Sequence, residues 1–214
     1  MFVHLAGALP LAAIVFSALT GRLGVNPIQE IEQQLGRAAL YFLVASLAVT
    51  PVYTVTGWQA LLPRRRALGL YSFFYACLHL LTFAGLDYSF NIPQILNLLT
   101  QKRYIFVGSL AFLLLLLLAV TSFDYFIRRM PMIWKRLHWI VYPTGVLAII
   151  HFAWARKGTL MQLRGDIIQP FLWGILLFTL LVLRLPPLRK AIFQLRQRIL
   201  VRRSTHRSRE TSKV

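Results

Sequence analysis

The sequence predicts an all-α membrane protein, a six-transmembrane-helix bundle with a basic cytoplasmic C-terminal amphipathic helix. Three observations predict it. Of the 214 residues, 57% are hydrophobic and 14% charged, with a mean hydropathy of +0.63; about a quarter of a soluble domain is charged. The apolar residues fall in six long runs, each close to the ~20 residues of helix that a hydrocarbon core about 30 Å thick requires. The 24 Lys and Arg, against 6 Asp and Glu, lie between and after those runs. That placement points the net charge of +18 toward a membrane surface and membrane lipid. It speaks against nucleic acid, where basic residues neutralise phosphates.

The first run covers residues 2–20, with Gly21-Arg22 behind it. It lacks the basic n-region of a secretory signal, so it is read as a permanent helix. The second spans 38–55, the third 67–86, and the fourth 104–123 with its unbroken Leu113–Leu118 stretch. The fifth is 137–155, and the sixth is 167–185, stopped by Pro186-Pro187. Cys77, the sole cysteine, lies in an apolar run and is read as packing. No internal repeat is apparent.

Orientation follows from the loops. Arg64, Arg65 and Arg66 follow the second run; Arg128, Arg129, Lys135 and Arg136 follow the fourth; ten more basic residues lie from Arg184 onward. Seventeen basic residues thus share one side. The other carries seven: Arg22, Arg37, Lys102, Arg103, Arg156, Lys157 and Arg164. Both termini are therefore expected in the cytoplasm. In the tail, residues 187–214, Leu188, Ile192, Leu195 and Ile199 recur at helical spacing among Arg and Lys, the pattern of a helix lying on an anionic leaflet. From about Arg202 onward the chain is too polar to pack and is expected to remain mobile.

Five histidines occur, and His206 lies in the polar tail. His4, His79, His138 and His151 lie inside or at the ends of the predicted spans, where polar side chains are costly and mark function. With a rise of about 1.5 Å per residue, His79 lies about 10 Å, and His151 about 6 Å, below the outer ends of their helices. Two imidazoles at similar depth on neighbouring helices suit the two axial positions of one haem iron. A lone histidine would instead bond a serine or a carbonyl in a helix interface. His138 precedes His151 by 13 residues, which suits a second haem nearer the cytoplasm. On a straight helix, however, the two side chains point about 140° apart. Pro143 lies between them, and His4 is the other candidate partner for His138.

With these residues placed, the sequence resembles the haem-binding membrane subunit of the bacterial periplasmic protein-methionine-sulfoxide reductase system, within the ferric-reductase-like transmembrane group. The resemblance rests on His4-Leu5-Ala6-Gly7-Ala8-Leu9-Pro10, Gly24-Val25-Asn26-Pro27, Gly36-Arg37-Ala38 and Thr50-Pro51. It continues through Arg65-Arg66-Ala67-Leu68-Gly69-Leu70, Leu78-His79-Leu80, Leu137-His138, Val141-Tyr142 and His151-Phe152-Ala153-Trp154. It implies a six-helix haem-binding domain over 1–186 in the bacterial inner membrane. Such a subunit holds haem b and passes electrons from the quinone pool or a cytoplasmic flavin source to a periplasmic molybdenum-containing reductase. That partner reduces methionine sulfoxide, so the chain is an electron-transfer subunit rather than a catalytic one.

By position, the resemblance makes His79 and His151 the ligands of the outer haem and matches His138 to the family's third histidine. FMN is associated with the family, though no Gly-rich flavin fingerprint occurs here. Against the wider ferric reductases, the inner histidine of the third helix is missing, and the soluble FAD/NADPH domain of eukaryotic relatives is absent. Arg64, Arg65, Arg66, Lys135 and Arg136 are candidates for a quinone head group or flavin phosphate, or else fix topology alone. Asn26, Glu30 and Glu32 face the periplasm as candidate partner contacts. Competing readings are a stand-alone ferric reductase and a small proton- or metal-coupled transporter. The second is disfavoured because the spans hold no interior carboxylate and no inverted repeat.

Overall fold

The computed structural model describes residues 2–156 and 168–211, the side chains of Phe2 and of residues 199–211 excepted. Lys157, Arg164 and Ile167, and the side chain of His206, lie outside the described residues. Among the described residues ten α-helices follow in order: α1 (Phe2–Leu19), α2 (Pro27–Thr56), α3 (Arg64–Leu81), α4 (Ile92–Gln101), α5 (Arg103–Val120), α6 (Asp124–Arg129), α7 (Pro131–Leu137), α8 (Val141–Ala155), α9 (Ile168–Val182) and α10 (Pro186–Thr211). No strand occurs among the described residues. A lipid-exposed segment must satisfy every backbone polar group internally, and helices do so.

Among the described residues, four helical stretches are long and apolar enough to cross a membrane: Pro27–Thr56, Gln59–Asp87, Arg103–Val120 and Pro131–Ala155. A fifth counts if α9 and α10, which meet at 75°, form one bent span. The first predicted span is apolar but shorter, at Val3–Leu19. The multi-pass helical class therefore stands, and the number six remains a reading.

Boundaries differ from the apolar runs where caps act. α2 begins well before Ala38 because Asn26 Oδ1 accepts the Gln29 N–H at 3.2 Å, Pro27 fills the first helical position, and Glu30 lies in the first turn. It ends at Gly57, whose φ of 76° is left-handed and whose N–H bonds Tyr53 O at 2.8 Å. The fifth predicted span is not one helix: a 3₁₀ turn, His138–Ile140, separates α7 from α8. The third continues past α3 into a π-helical turn, Thr82–Asp87, a feature often found at functional sites. The tail stays helical to Thr211, past Arg202, where mobile chain was expected. Arg, frequent in this stretch, is a good helix former.

α2 is the central element. Its Leu35, Ala38 and Phe42 pack with Ile14 and Tyr75 of α1 and α3. Its Leu43 and Leu47 meet Leu115 and Leu177 of α5 and α9, and its Leu40 and Val44 meet Leu180. A helix apolar on every side is one that is surrounded. Outer faces carry exposed Phe106, Leu113, Leu172 and Phe178, as a lipid-facing surface would.

One polar side chain repairs backbone that proline disrupts, and a second inserts into a helix ladder beside another proline. Pro51 has no N–H to give Leu47 O one turn earlier, and Arg184 Nη2 reaches that carbonyl from the end of α9 at 2.6 Å. Beside Pro10, the hydroxyl of the fully buried Tyr75 enters the ladder of α1: it accepts the Leu11 N–H at 3.1 Å and donates to Gly7 O at 2.6 Å. This ties α1 to α3. We expect Tyr75→Phe to cost about 1–3 kcal/mol by stranding buried polar groups, read as a lowered unfolding temperature in detergent. Tyr71→Phe, whose hydroxyl bonds the exposed His4 ring, is expected to stay within about 0.5 kcal/mol.

Candidate haem site between two helix pairs

α3 packs antiparallel to α2: Ser72 Oγ donates to Ala39 O at 2.8 Å, and Ser46 Oγ donates to Arg65 O at 3.0 Å. α8 packs antiparallel to α5 in the same way, and the two pairs face each other across a cavity of about 450 Å³. His79 reaches the cavity from α3 and His151 from α8. Their ring centroids are 6.2 Å apart and their planes meet at 74°.

Each imidazole is fixed by the partner helix of its own pair. His79 Nδ1 lies 2.9 Å from Glu32 O on α2, and His151 Nδ1 lies 2.7 Å from Tyr104 O on α5. A carbonyl oxygen can only accept, so both Nδ1 atoms carry the proton, and both Nε2 atoms keep a free lone pair. Metal-binding histidines are held this way, the outer bond fixing tautomer and ring orientation. Room for the rings comes from glycines. A Cβ on Gly36 would meet His79 Nδ1 at 3.2 Å, and one on Gly108 would meet His151 Nδ1 at 2.5 Å.

Both Nδ1 bonds span 47 residues, and the coincidence extends to the whole wall. The lining residues Glu32, Gly36, Ala39, Leu43, Ser72, Ala76 and His79 have counterparts 72 residues later in Tyr104, Gly108, Ala111, Leu115, Thr144, Ala148 and His151, all of which also line the cavity. The chain therefore does contain an internal repeat of a helix pair, contrary to the sequence reading. Matching is confined to positions where helices approach the cavity. Lipid-facing positions need only be apolar, so similarity there is lost. The units run in the same sense, which is a parallel repeat and not the inverted one sought among transporters.

The remaining predicted residues lie elsewhere. His138 Nδ1 bonds Trp134 O at 3.1 Å, its Nε2 lies 3.3 Å from Ser122 Oγ, and its ring packs on Trp134 with centroids 4.1 Å apart. His4 Nδ1 bonds the Tyr71 hydroxyl at 2.9 Å. The structure thus brings His79 and His151 together, while His4 and His138 are each engaged with other residues. Arg66 pairs with Asp124, and Arg65 lies near Arg184 and Tyr142. Glu32 lines the cavity near His79, whereas Glu30 bonds the Gly24 N–H and Gln34. Sequence reasoning missed Gly36 and Gly108 as ring seats, and the carbonyls of Glu32 and Tyr104. Self-comparison at an offset of 72 would have found the glycines; main-chain acceptors leave no residue signature.

Among the described residues no group of three or more His, Cys, Asp and Glu can hold a metal ion. Two imidazoles alone therefore suit a metal that brings its own equatorial donors, as iron in a macrocycle does. An imidazole nitrogen lies ~1.1 Å from its ring centre and a metal–nitrogen bond is about 2.0–2.1 Å, so rings on opposite sides of one ion have centroids ~6.3 Å apart. The observed spacing fits.

A multi-pass helical membrane protein with one apolar, two-histidine cavity built from a repeated helix pair is the class these features define. A model described as ferric reductase like transmembrane component matches residues 35–150. The protein-methionine-sulfoxide reductase heme-binding subunit MsrQ of Herminiimonas arsenicoxydans is 38% identical over 181 residues, covering 84% of this chain and 81% of that one. Its namesake in Rhodospirillum rubrum is 40% identical over 186 residues, covering 86% of each, and that in Xanthomonas oryzae pv. oryzae is 40% identical over 185, covering 84% and 82%. The chain belongs to the MsrQ family of protein-methionine-sulfoxide reductase heme-binding subunits. No solved structure matches it.

Substituting the glycines weighs two effects. Alanine gains about 1 kcal/mol of helix propensity and loses about 1–3 kcal/mol where it overpacks. We expect Gly36→Ala to be close to neutral in thermal unfolding, since its contact needs only tenths of an ångström. Gly108→Ala is expected to be clearly destabilised, because the His151 ring must move.

Proposed function

We propose that this chain is a haem b electron-transfer subunit, carrying electrons across the bacterial inner membrane to a periplasmic methionine-sulfoxide reductase. One observation carries the proposal: two imidazoles 6.2 Å apart, each with Nδ1 committed to a carbonyl and Nε2 free, lining the same largely apolar cavity. His79 and His151 would hold the iron. Haem bound between two imidazoles supplies one-electron transfer with no open position for oxygen.

The chain's own residues supply binding, orientation and exclusion of water. Leu40, Leu43, Phe112 and Leu115 give the walls their apolar surface. Gly36, Ala39, Gly108 and Ala111 keep the helices' cavity faces low enough for a flat ligand. Because each Nδ1 proton is bonded to a main-chain carbonyl, which cannot pass a proton on, the pair is unsuited to a proton relay. This disfavours the proton-coupled transporter.

Orientation completes the reading. If the seventeen-against-seven distribution of Lys and Arg sets topology, the termini are cytoplasmic and the histidine pair lies toward the periplasm. α4 would then lie along the outer surface; its Ile92, Ile95, Leu96 and Leu99 recur at helical spacing, and Gln94, Asn97 and Gln101 occupy another face. The basic α10, turned 75° from α9, would lie along the cytoplasmic leaflet. Electrons would enter from the quinone pool or a cytoplasmic flavin source, with FMN a candidate carrier. They would leave toward a molybdenum-containing partner near the outer mouth, where Glu32 lines the cavity.

The test is the visible spectrum of the full chain in mild detergent, oxidised and then reduced. We expect a b-type spectrum in the parent and in His138→Ala, and its loss or strong weakening in both His79→Ala and His151→Ala. A folded parent free of haem, from cells supplied with haem precursor, would overturn the proposal.

A further inference from the structure

The end of the bundle that carries the histidine pair has a second face, turned away from the cavity. On α2, Gly36 and Leu40 line the cavity, while the residues that follow them, Arg37 and Tyr41, do not. Arg37 and Tyr41 lie four residues apart and share a helix face. Tyr41 stacks on Trp173 of α9, with ring centroids 4.8 Å apart and planes at 24°. Arg37 is the last residue before the apolar run at 38–55. It therefore marks the level at which α2 enters the hydrocarbon, and the stacked pair lies just inside that level. Trp and Tyr collect there in membrane proteins, with an apolar ring in the lipid and a polar atom at the interface.

The basic residues at this end are not alike. Arg22, Lys102 and Arg103 are exposed. Arg156 donates to Gln169 Oε1 at 3.2 Å and lies over the Phe152 ring. Arg37 is half-buried, with no hydrogen bond or ion pair among the described residues. The Tyr41 hydroxyl and Trp173 Nε1 likewise have no hydrogen-bond partner among the described residues. A guanidinium presents five donors, a phenol and an indole one each. Water meets such needs at an aqueous surface but not inside hydrocarbon. The acceptors at the boundary between the two are those of the lipid itself, phosphate oxygens outside and ester carbonyls one layer in. The three donors follow that order. A guanidinium on a long stem reaches outward, and the hydroxyl and indole lie a turn deeper.

We propose that Arg37, Tyr41 and Trp173 form a binding site for an anionic phospholipid in the leaflet on the histidine side of the bundle. The Arg37 fork takes the phosphate in a bidentate manner. Tyr41 and Trp173 donate to the ester region, and an acyl chain runs past the exposed Leu176, one turn deeper on α9. Arg37 has no carboxylate beside it to cancel its charge, so a head group with net negative charge is favoured over a zwitterionic one. The lipid bridges α2 to α9 on the flank where the two aromatic rings meet. The site is independent of the haem reading, because none of its three side chains lines the cavity.

The full chain, purified in mild detergent and stripped of lipid, is titrated with phosphatidylglycerol or phosphatidylcholine in mixed micelles while affinity and thermal unfolding are followed. Arg37→Gln removes the charge. Arg37→Lys keeps the charge without the fork, and Trp173→Phe keeps the ring stack without the Nε1 donor, so both retain the fold if Arg37→Gln does not. Lys102→Gln removes a charge from an exposed position at the same end. Phosphatidylglycerol is expected to bind the parent more tightly than phosphatidylcholine and to raise its unfolding temperature more. Its affinity should fall roughly tenfold or more in Arg37→Gln and about two- to fivefold in Arg37→Lys and Trp173→Phe. In Lys102→Gln it should stay within about twofold. The visible spectrum of Arg37→Gln should match that of the parent. The site is refuted if the parent binds both lipids equally, if the Arg37 and Trp173 variants keep the parent's affinity, or if Lys102→Gln loses as much as Arg37→Gln. A changed visible spectrum in Arg37→Gln would also overturn it, by assigning Arg37 to the histidine cavity.

Discussion

The bond from each cavity imidazole to a main-chain carbonyl of the adjacent helix is the constraint on which the site depends. Glu32 O and Tyr104 O take the Nδ1 protons of His79 and His151, and three consequences follow. The tautomer is settled, so the free nitrogen of each ring is Nε2. Each ring is anchored to the opposite helix of its pair, so α2 with α3 and α5 with α8 become rigid half-sites. The helices must also approach closely enough for those bonds, which is why glycine occupies positions 36 and 108, where a Cβ would press on the rings.

Rigidity elsewhere serves the same geometry. α2 threads the middle of the bundle with a proline at position 51, and the cost of that proline is met from outside the helix by Arg184. α1 is bound to α3 through Tyr75 by a similar device near Pro10. In lipid there is no water to satisfy a backbone group left without a partner, and in α1 and α2 polar side chains from neighbouring elements bond such backbone groups. The fold is thereby stitched by a few polar contacts, while apolar residues cover its exterior.

Much of the architecture was legible in the sequence because the bilayer demands long apolar runs, and those runs locate α2, α3, α5 and α8. What the runs cannot register are elements built by caps or amphipathicity: the polar start of α2 under Asn26, the short surface helix α4, and the 3₁₀ turn that splits the helix carrying His138 and His151. His79 and His151 stood out as polar groups in apolar surroundings. Their seats did not, since glycines and carbonyl oxygens are unremarkable one at a time. Only when the two halves of the cavity are superposed do Gly36 and Gly108, Ser72 and Thr144, or Ala76 and Ala148 acquire meaning. Likewise Arg184 reads in sequence as one of ten basic residues fixing topology, yet it reaches into the bundle to hold Leu47.

The central claim is that the two carbonyl-anchored imidazoles of His79 and His151 occupy both axial positions of one haem iron. Electron paramagnetic resonance of the oxidised, detergent-purified full chain in frozen solution tests it most directly, because the signal reports axial ligands and the angle between their planes. The account predicts low-spin ferric iron with the strong anisotropy of two imidazoles far from parallel, in keeping with the 74° between the rings. High-spin ferric iron, with an axial position open, would contradict it.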